Sequence, residues 1–117
     1  MNILESFIIQ EKDELLRRVP KIPSHFNNGS ITSAAFKPKP NEDGLSVDLL
    51  RLTTIDFFIN DPNKYLAAEI IAGDAIKEGC ECIHDPLPDN HAHALIKGIT
   101  KQIARKLSAI CKVIDLV

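Results

Sequence analysis

The chain has 117 residues, of which 44% are hydrophobic and 26% are charged, as in one folded domain rather than a disordered segment. Its net charge of −2 and its pI near 6.0 argue against a protein that coats nucleic acid through a uniformly basic surface. No run of about 18 apolar residues is present, so we expect no contact with a membrane.

The N-terminus and the cysteines indicate the cellular compartment of the protein. The opening residues, MNILESFIIQEKDELLRRVP, carry Glu5 and lack both the positive region and the small-residue cleavage site of a signal peptide. Three cysteines are an odd number that suits reduced thiols. We therefore predict one cytoplasmic domain over residues 1–117.

The first third of the chain predicts a helix, a turn and a strand. Apolar residues fall roughly on one side of a helix over 3–18, and Pro20 would end it. The Asn-Gly pair within 25–30 indicates a tight turn. A strand over 31–38 follows, and the Pro- and Gly-containing segment 39–44 predicts a loop.

The middle third predicts a strand, a short helix and a second strand. Segment 45–52 begins with alternating apolar and polar residues and is typical of a half-buried strand. Thr53 or Thr54 would cap a short helix over 53–60. Segment 61–71 indicates one helical turn followed by a strand.

The last third predicts two strands between two helices. Asp74 and Gly79 suit the ends of a short helix over 73–79. Strands over 80–84 and 91–98 would flank a loop, and a helix over 100–114 would end the chain. The sequence thus predicts an α+β fold: a small curved, mostly antiparallel sheet with N-terminal and C-terminal helices.

Residues 79–98, GCECIHDPLPDNHAHALIKG, concentrate potential metal ligands. His91 and His93 would share one face of a strand, and Cys82 would lie on the neighbouring strand, which suggests zinc as one interpretation. However, same-face neighbours stand about 6.7 Å apart along a strand, and the Cys-x-x-Cys spacing is absent. We therefore expect Cys80 and Cys82 to be small core residues, and we predict no metal and no other cofactor.

The loop DPLPDN over 85–90 is the most suggestive segment. Two prolines stiffen it, so ligand-binding groups mounted on it would lose little entropy on binding. Asp85 and Asn90 at its ends, with His84 and His93 beside it, supply such groups. The alternative is that Asp85 and Asn90 only form local hydrogen bonds with the backbone.

Acid–base chemistry is a second interpretation of the same residues. His93 with Asp48 or Asp85 provides the minimum pair of groups, and Arg51 could orient an anion. Ser46 lies in no recognisable nucleophile motif, and the sequence contains neither G-x-S-x-G nor a phosphate-binding glycine loop. Whether the protein is an enzyme stays open at this point.

The C-terminal segment is basic. Lys101, Arg105 and Lys112 would lie along one stripe of the predicted helix, where they could follow a phosphate backbone. A solvated helix face with cations near its C-terminal end explains the same pattern without a nucleic acid.

Three segments, DGLSVD (43–48), AGDAIKEG (72–79) and HDPLPDNHAHALIKG (84–98), resemble short uncharacterised bacterial proteins. In those proteins a similar SVD strand precedes a DPLP-N--HA loop, and the similarity covers about residues 25–98. The resemblance implies a bacterial cytoplasmic domain with no established activity. The residues that are most characteristic of this resemblance are Ser46, Asp48, Asp85, Pro86, Asn90 and His93.

The leading hypothesis is a small cytoplasmic binding or accessory protein. Its recognition surface for a partner protein or a small ligand would comprise the 84–93 loop and the Ser46/Asp48 strand. The residues expected there are Ser46, Asp48, Arg51, His84, Asp85, Asn90 and His93. The alternatives are a hydrolase or transferase, possibly metal-dependent, and a nucleic-acid-binding subunit that uses the C-terminal helix.

Overall fold

Residues 7–117 are described by a computed structural model, in which eight strands form two antiparallel sheets. The strands are β1 (Glu14–Pro20), β2 (Phe26–Asn27), β3 (Ser30–Ile31), β4 (Leu45–Leu49), β5 (Tyr65–Ile71), β6 (Glu81–His84), β7 (His93–Lys97) and β8 (Lys112–Ile114). Six of them form the main sheet in the order β6-β7-β4-β1-β5-β8, and β2 pairs only with β3. All the strand pairings are antiparallel.

Within the described residues, three α-helices accompany the sheets: α1 (Ile55–Ile59), α2 (Ala72–Lys77) and α3 (Lys101–Ile110). The hydroxyl groups of Thr54 and Thr100 accept hydrogen bonds from the first-turn N–H groups of α1 and α3, at 3.2 and 3.1 Å, so side chains cap both helices. Short 3₁₀ turns cover 23–25, 33–36 and 50–52. Among residues 7–117, no helix has the length and apolar character needed to cross a membrane.

The α+β class and the mostly antiparallel sheet are confirmed, but the N-terminal helix is not. Residues 14–18 lie in β1, residues 7–13 contain no helix, and residues 1–6 lie outside the described part of the chain. β1 lies between β4 and β5, and each of its faces packs against a core, with Leu15 in one core and Leu16 in the other. Leu15 and Leu16 are consequently both fully buried, and such an apolar pair fits a buried strand as well as a helix.

Two further predicted elements are corrected. Segment 31–38 is not a strand beyond Ile31, because Ala35 and Phe36 are both buried in the same core cluster and a 3₁₀ turn over 33–36 points both of them inward. The C-terminal helix ends at Ile110, which is 55% exposed. The next residues turn back as β8 and pair with β5.

Several predicted elements are confirmed. Asn28 and Gly29 have φ values of 53° and 82°, so the predicted Asn-Gly turn joins β2 to β3 with the left-handed backbone that such residues tolerate. The strands within 45–52, 61–71, 80–84 and 91–98 are present as β4, β5, β6 and β7. The short helix over 53–60 begins at Ile55 with Thr54 as its N-cap.

The main sheet carries a large core on one face and a small one on the other. The large core contains Leu15, Val47 and Ala94, which pack with buried residues of α2, α3 and the 33–36 turn. The small core joins Leu16 to Phe58 of α1. Because successive side chains of a strand point to opposite faces, the register decides which polar residues face the small core.

β1 and β4 separate along their length. β1 pairs with β5 through all seven of its residues but with β4 only at Leu15↔Leu49 and Leu16↔Asp48. Beyond that point the half-buried Arg17 spans the gap, since its Nε donates to the carbonyl of Ala35 and its Nη1 to the carbonyl of Ser46, both at 2.9 Å. One guanidinium therefore provides the hydrogen bonds that strand pairing does not.

We expect Arg17→Met to lower the free energy of unfolding by about 1.5–3 kcal/mol, because it keeps the aliphatic stem but removes two charge-assisted hydrogen bonds. Urea denaturation measures this loss. Arg105→Met, the same change at an exposed position of α3, is the control and should change stability by about 0.5 kcal/mol or less. Equal effects of the two substitutions would contradict the bridging role of Arg17.

Candidate functional site

The divergence of β1 from β4 opens a cleft of about 560 Å³. Its walls come from the end of β1, the start of β4, α1, the segment after the 33–36 turn, and the end of the loop before β7. The charged and polar residues that line it are Arg17, Arg18, His25, Lys37, Lys39, Ser46, Asp48, Asn90 and His93.

Strand register brings the polar residues of this cleft together. Asp48 on β4 is directly opposite His93 on β7, and Ser46 lies on the same face as Asp48 because the two are separated by one residue. The Nε2 atom of His93 is 3.2 Å from the Ser46 Oγ. Asn90 donates from Nδ2 to the Asp48 Oδ1 at 3.0 Å. Four of the predicted site residues therefore form one cluster.

Asp85 joins the cluster from the other side of the imidazole. The His93 Nδ1 is 3.0 Å from the Asp85 carbonyl oxygen and 3.1 Å from its Oδ2. A carbonyl and an ionised carboxylate can only accept hydrogen bonds, so Nδ1 carries the proton. In the neutral ring Nε2 is then an acceptor, and the Ser46 hydroxyl donates to it.

The 85–90 loop is fixed by its own backbone. Leu87 and Asn90 exchange N–H···O=C hydrogen bonds at 3.0 and 3.1 Å, and the Asp85 N–H donates to the His93 carbonyl at 2.9 Å. The Asn90 Oδ1 also accepts from the Ala92 N–H at 3.3 Å. Asn90 thus makes the local backbone hydrogen bond that the sequence left as an alternative and also reaches Asp48.

Asp48 is the buried acid of the cluster, with 6% of its surface exposed. Burial raises the pKa of its carboxyl group, while the Asn90 hydrogen bond and the charges of His93 and Arg18 act in the opposite direction. Because desolvation is the largest of these effects, ionised Asp48 lowers the stability of the folded state.

Basic residues surround the polar cluster. Arg17 and Arg18 approach it from β1, and Lys37 and Lys39 from the segment after the 33–36 turn. Burial lowers the pKa of the Arg17 guanidinium, with the carboxylate of Glu42 acting in the opposite direction, but an arginine stays protonated in proteins. Both arginines donate to backbone carbonyls, Arg18 with two N–H groups to that of Phe58 at 3.0 and 2.7 Å.

The structure does not bring His84 and Arg51 to this cleft. His84 is opposite Ala94, so it faces the large core rather than His93. Its Nδ1 accepts from the Phe7 N–H at 2.8 Å, and its Nε2 donates to the His91 carbonyl at 2.7 Å. Arg51 instead forms an ion pair with Asp13 at 2.9 Å.

The weak metal candidates are also separated. Cys82 shares the face of His84, opposite to that of His93. Burial, assisted by the neighbouring Cys80, raises the pKa of the Cys82 thiol to about 11, which favours the protonated form at neutral pH. Within residues 7–117, no three His, Cys, Asp or Glu side chains are grouped closely enough to hold a metal ion.

The predicted basic stripe is divided between two elements. Lys101 and Arg105 are exposed on α3, but Lys112 lies on β8, beyond the end of the helix. These residues therefore do not form one continuous helical stripe, and that part of the prediction is wrong.

Sequence reasoning missed the basic half of the cleft and the hydrogen bond of Ser46. Arg17 and Arg18 were placed in a helix, and no motif links Lys37 and Lys39 to the residues near 90. The one available signal was the alternation in LSVDL (45–49), which places Ser46 beside Asp48 on one strand face. The alternation does not indicate which strand pairs with β4.

Comparisons of this chain with models of known protein families, with curated proteins and with solved structures found no match. The function is therefore inferred from the geometry of the cleft.

We expect His84→Ala to lower the free energy of unfolding by about 1–3 kcal/mol, because the Phe7 N–H and the His91 carbonyl lose their partner. Thermal and urea unfolding measure the effect. His91→Ala removes an exposed imidazole and should cost clearly less. If the two variants were equally stable, His84 would not have the structural role that its hydrogen bonds indicate.

We expect Asp48→Asn to raise the free energy of unfolding, relative to the wild type, more near pH 7 than near pH 3. The folded-state pKa of Asp48 is raised, so its favourable contribution is present below the unfolded pKa and is lost as the pH rises through the folded pKa. Asparagine cannot ionise but keeps an oxygen for Asn90. Urea denaturation across this pH range measures the difference, and Asp89→Asn controls for the loss of one exposed charge. A pH-independent difference would contradict the prediction.

Proposed function

We propose that the protein binds a small ligand carrying a phosphate or carboxylate group in the cleft between β1 and β4. The observation that supports this most is the charge of the cleft. Four Lys or Arg side chains and one Asp line it, although the whole chain has a net charge of −2. Positive charge is thus concentrated where the sheet opens, and such a cleft attracts anions.

The two arginines support the proposal through their partners. Arg17 and Arg18 are held by backbone carbonyls of Ser46, Ala35 and Phe58. These oxygens are neutral, so they fix the guanidinium groups without cancelling their charge. Cations that are already oriented lose little entropy when an anion binds, and arginine geometry suits both carboxylate and phosphate.

The polar cluster supplies orientation. Ser46, Asn90 and His93 offer a hydroxyl, an amide and an imidazole in the lining of the cleft, and such a small set of fixed polar groups is typical of ligand sites. The volume of about 560 Å³ lies in the range of small-molecule pockets. Asp48 is 6% exposed, and 15% of the His93 side chain is exposed. Both residues are thus recessed, which favours a small ligand over a flat protein surface.

We place this function in the bacterial cytoplasm. The support from the structure is the presence of three free thiols, Cys80, Cys82 and Cys111, which suit a reducing compartment; the bacterial source is an expectation from the sequence alone.

We expect pyrophosphate and citrate to produce saturable NMR shifts at the amides of Ser46, Asn90 and His93. Lys37→Gln/Lys39→Gln should weaken the binding by about tenfold or more, because two cations are lost from the cleft wall. Lys101→Gln/Lys112→Gln removes the same charge from exposed positions on α3 and β8 and should weaken it much less.

Two results would contradict the proposal. One is the absence of saturable shifts at the cleft residues. The other is equal weakening by the two double substitutions, since that would show an effect of net charge and not of a site.

A further inference from the structure

We propose that Ser46 is a nucleophile for the hydrolysis of carboxylic esters, with His93 as its general base and Asp85 as the positioning residue of His93. The expected substrates are esters that also carry a carboxylate or phosphate. This preference rests on the proposed function, because it depends on the cations of the cleft, but the reactivity of Ser46 does not.

The main support for this proposal is the direction of the hydrogen bonds that the His93 imidazole forms with Ser46 and Asp85. The Ser46 Oγ is 3.2 Å from the His93 Nε2, and the Asp85 Oδ2 is 3.1 Å from the His93 Nδ1. Because Asp85 accepts through both its carbonyl and its carboxylate, the imidazole keeps its lone pair on the nitrogen beside the hydroxyl. A nucleophile, a base and a group that orients the base are thus connected in the order that nucleophilic catalysis requires.

The backbone makes this arrangement rigid. Ser46 lies on β4, His93 on the adjacent β7, and Asp85 directly after β6, which also pairs with β7. The Asp85 N–H donates to the His93 carbonyl at 2.9 Å, so the acid and the imidazole are tied together by main chain as well. Catalytic groups on paired strands hold their geometry better than groups on loops.

Exposure to the cleft distinguishes His93 from His84. His84 uses both ring nitrogens on backbone groups, of Phe7 and His91, which is the environment of a structural histidine. His93 has a side-chain hydroxyl on its second nitrogen, and both Ser46 and His93 line the cleft. A substrate carbonyl in the cleft can therefore reach the hydroxyl.

The chemistry balances with water as the only co-reactant. The Ser46 oxygen bonds to the ester carbonyl carbon as its proton passes to the His93 Nε2. The carbon–oxygen bond to the alcohol then breaks, and the alcohol leaves with that proton. Water, losing a proton to His93, attacks the acyl-serine, and the released Ser46 oxygen takes the proton back. The products are one acid and one alcohol.

Arg17 holds the backbone of the nucleophile. The Arg17 Nη1 is 2.9 Å from the Ser46 carbonyl oxygen, which brings a fixed positive charge to the backbone of the nucleophile. A guanidinium has five N–H groups, and Arg17 uses two of them on protein carbonyls. Arg17 thus fixes the backbone of Ser46 where β4 separates from β1.

The first test is covalent labelling of the full chain with diisopropyl fluorophosphate, read by intact mass and peptide mapping. We expect one adduct, on Ser46. Ser46→Ala should abolish it, and His93→Gln should slow it by about 100-fold or more. Ser33→Ala, outside the cleft, should label at the wild-type rate. Circular dichroism confirms that each variant is folded, and Ser46→Ala remains decisive if His93→Gln fails to fold.

The second test uses hydrolysis of two esters, 4-nitrophenyl acetate and the 4-nitrophenyl monoester of succinic acid. We expect Asp85→Ala to lower kcat about tenfold or more and to leave KM nearly unchanged, because it affects the imidazolium and not the cleft. Lys37→Gln/Lys39→Gln should raise KM for the anionic ester by a larger factor than KM for the neutral ester.

The outcomes separate the two proposals. No adduct, an adduct on another residue, or hydrolysis that persists in Ser46→Ala overturns the nucleophile, even where pyrophosphate still binds. An adduct on Ser46 without any preference for the anionic ester supports the nucleophile and contradicts the anion site.

Discussion

β1 and β4 pair only at Leu15↔Leu49 and Leu16↔Asp48, and the cleft lies where this pairing ends. Had the two strands remained paired beyond Leu16 and Asp48, their backbones would close the sheet at the place where the cleft now lies. Arg17 keeps the gap stable by satisfying the Ser46 and Ala35 carbonyls, since unpaired polar groups in a partly buried position cost stability. The same guanidinium thus supports the fold and contributes positive charge to the cleft.

Two histidines on adjacent strands show how register assigns different roles to one residue type. His84 and His93 both lie near the 85–90 loop, yet their side chains point to opposite faces of the sheet. His84 carries its proton on Nε2 and His93 on Nδ1, because an N–H donor faces one Nδ1 and two oxygens face the other. The neighbours in sequence are Ile83 and Asp85 for His84 and two alanines for His93. They do not indicate which histidine faces the cleft.

The sequence predicted the elements of the fold better than their contacts. The Asn28-Gly29 turn, the cap at Thr54 and the β4 strand follow from local chemistry, and these were correctly predicted. The prediction of a helix at β1 is wrong because Leu15 and Leu16, which point to opposite faces of the sheet, are both buried, so the sequence lacks the alternation of a half-buried strand. The cluster of Ser46, Asn90 and His93 was partly anticipated through residue type. Arg17 and Lys37 could not be, because their approach depends on a strand divergence that no local pattern encodes.

The wide sequence separation within the cluster has a consequence for the newly made chain. Ser46 and His93 are 47 positions apart, and β4 cannot pair with β7 until the ribosome has released both. Until then the Ser46 hydroxyl lacks the His93 imidazole as its hydrogen-bond partner. Such distant pairing closes slowly compared with local helices and turns, and the pairing of β4 with β7 and the appearance of the Ser46–His93 contact would be one and the same event during biosynthesis.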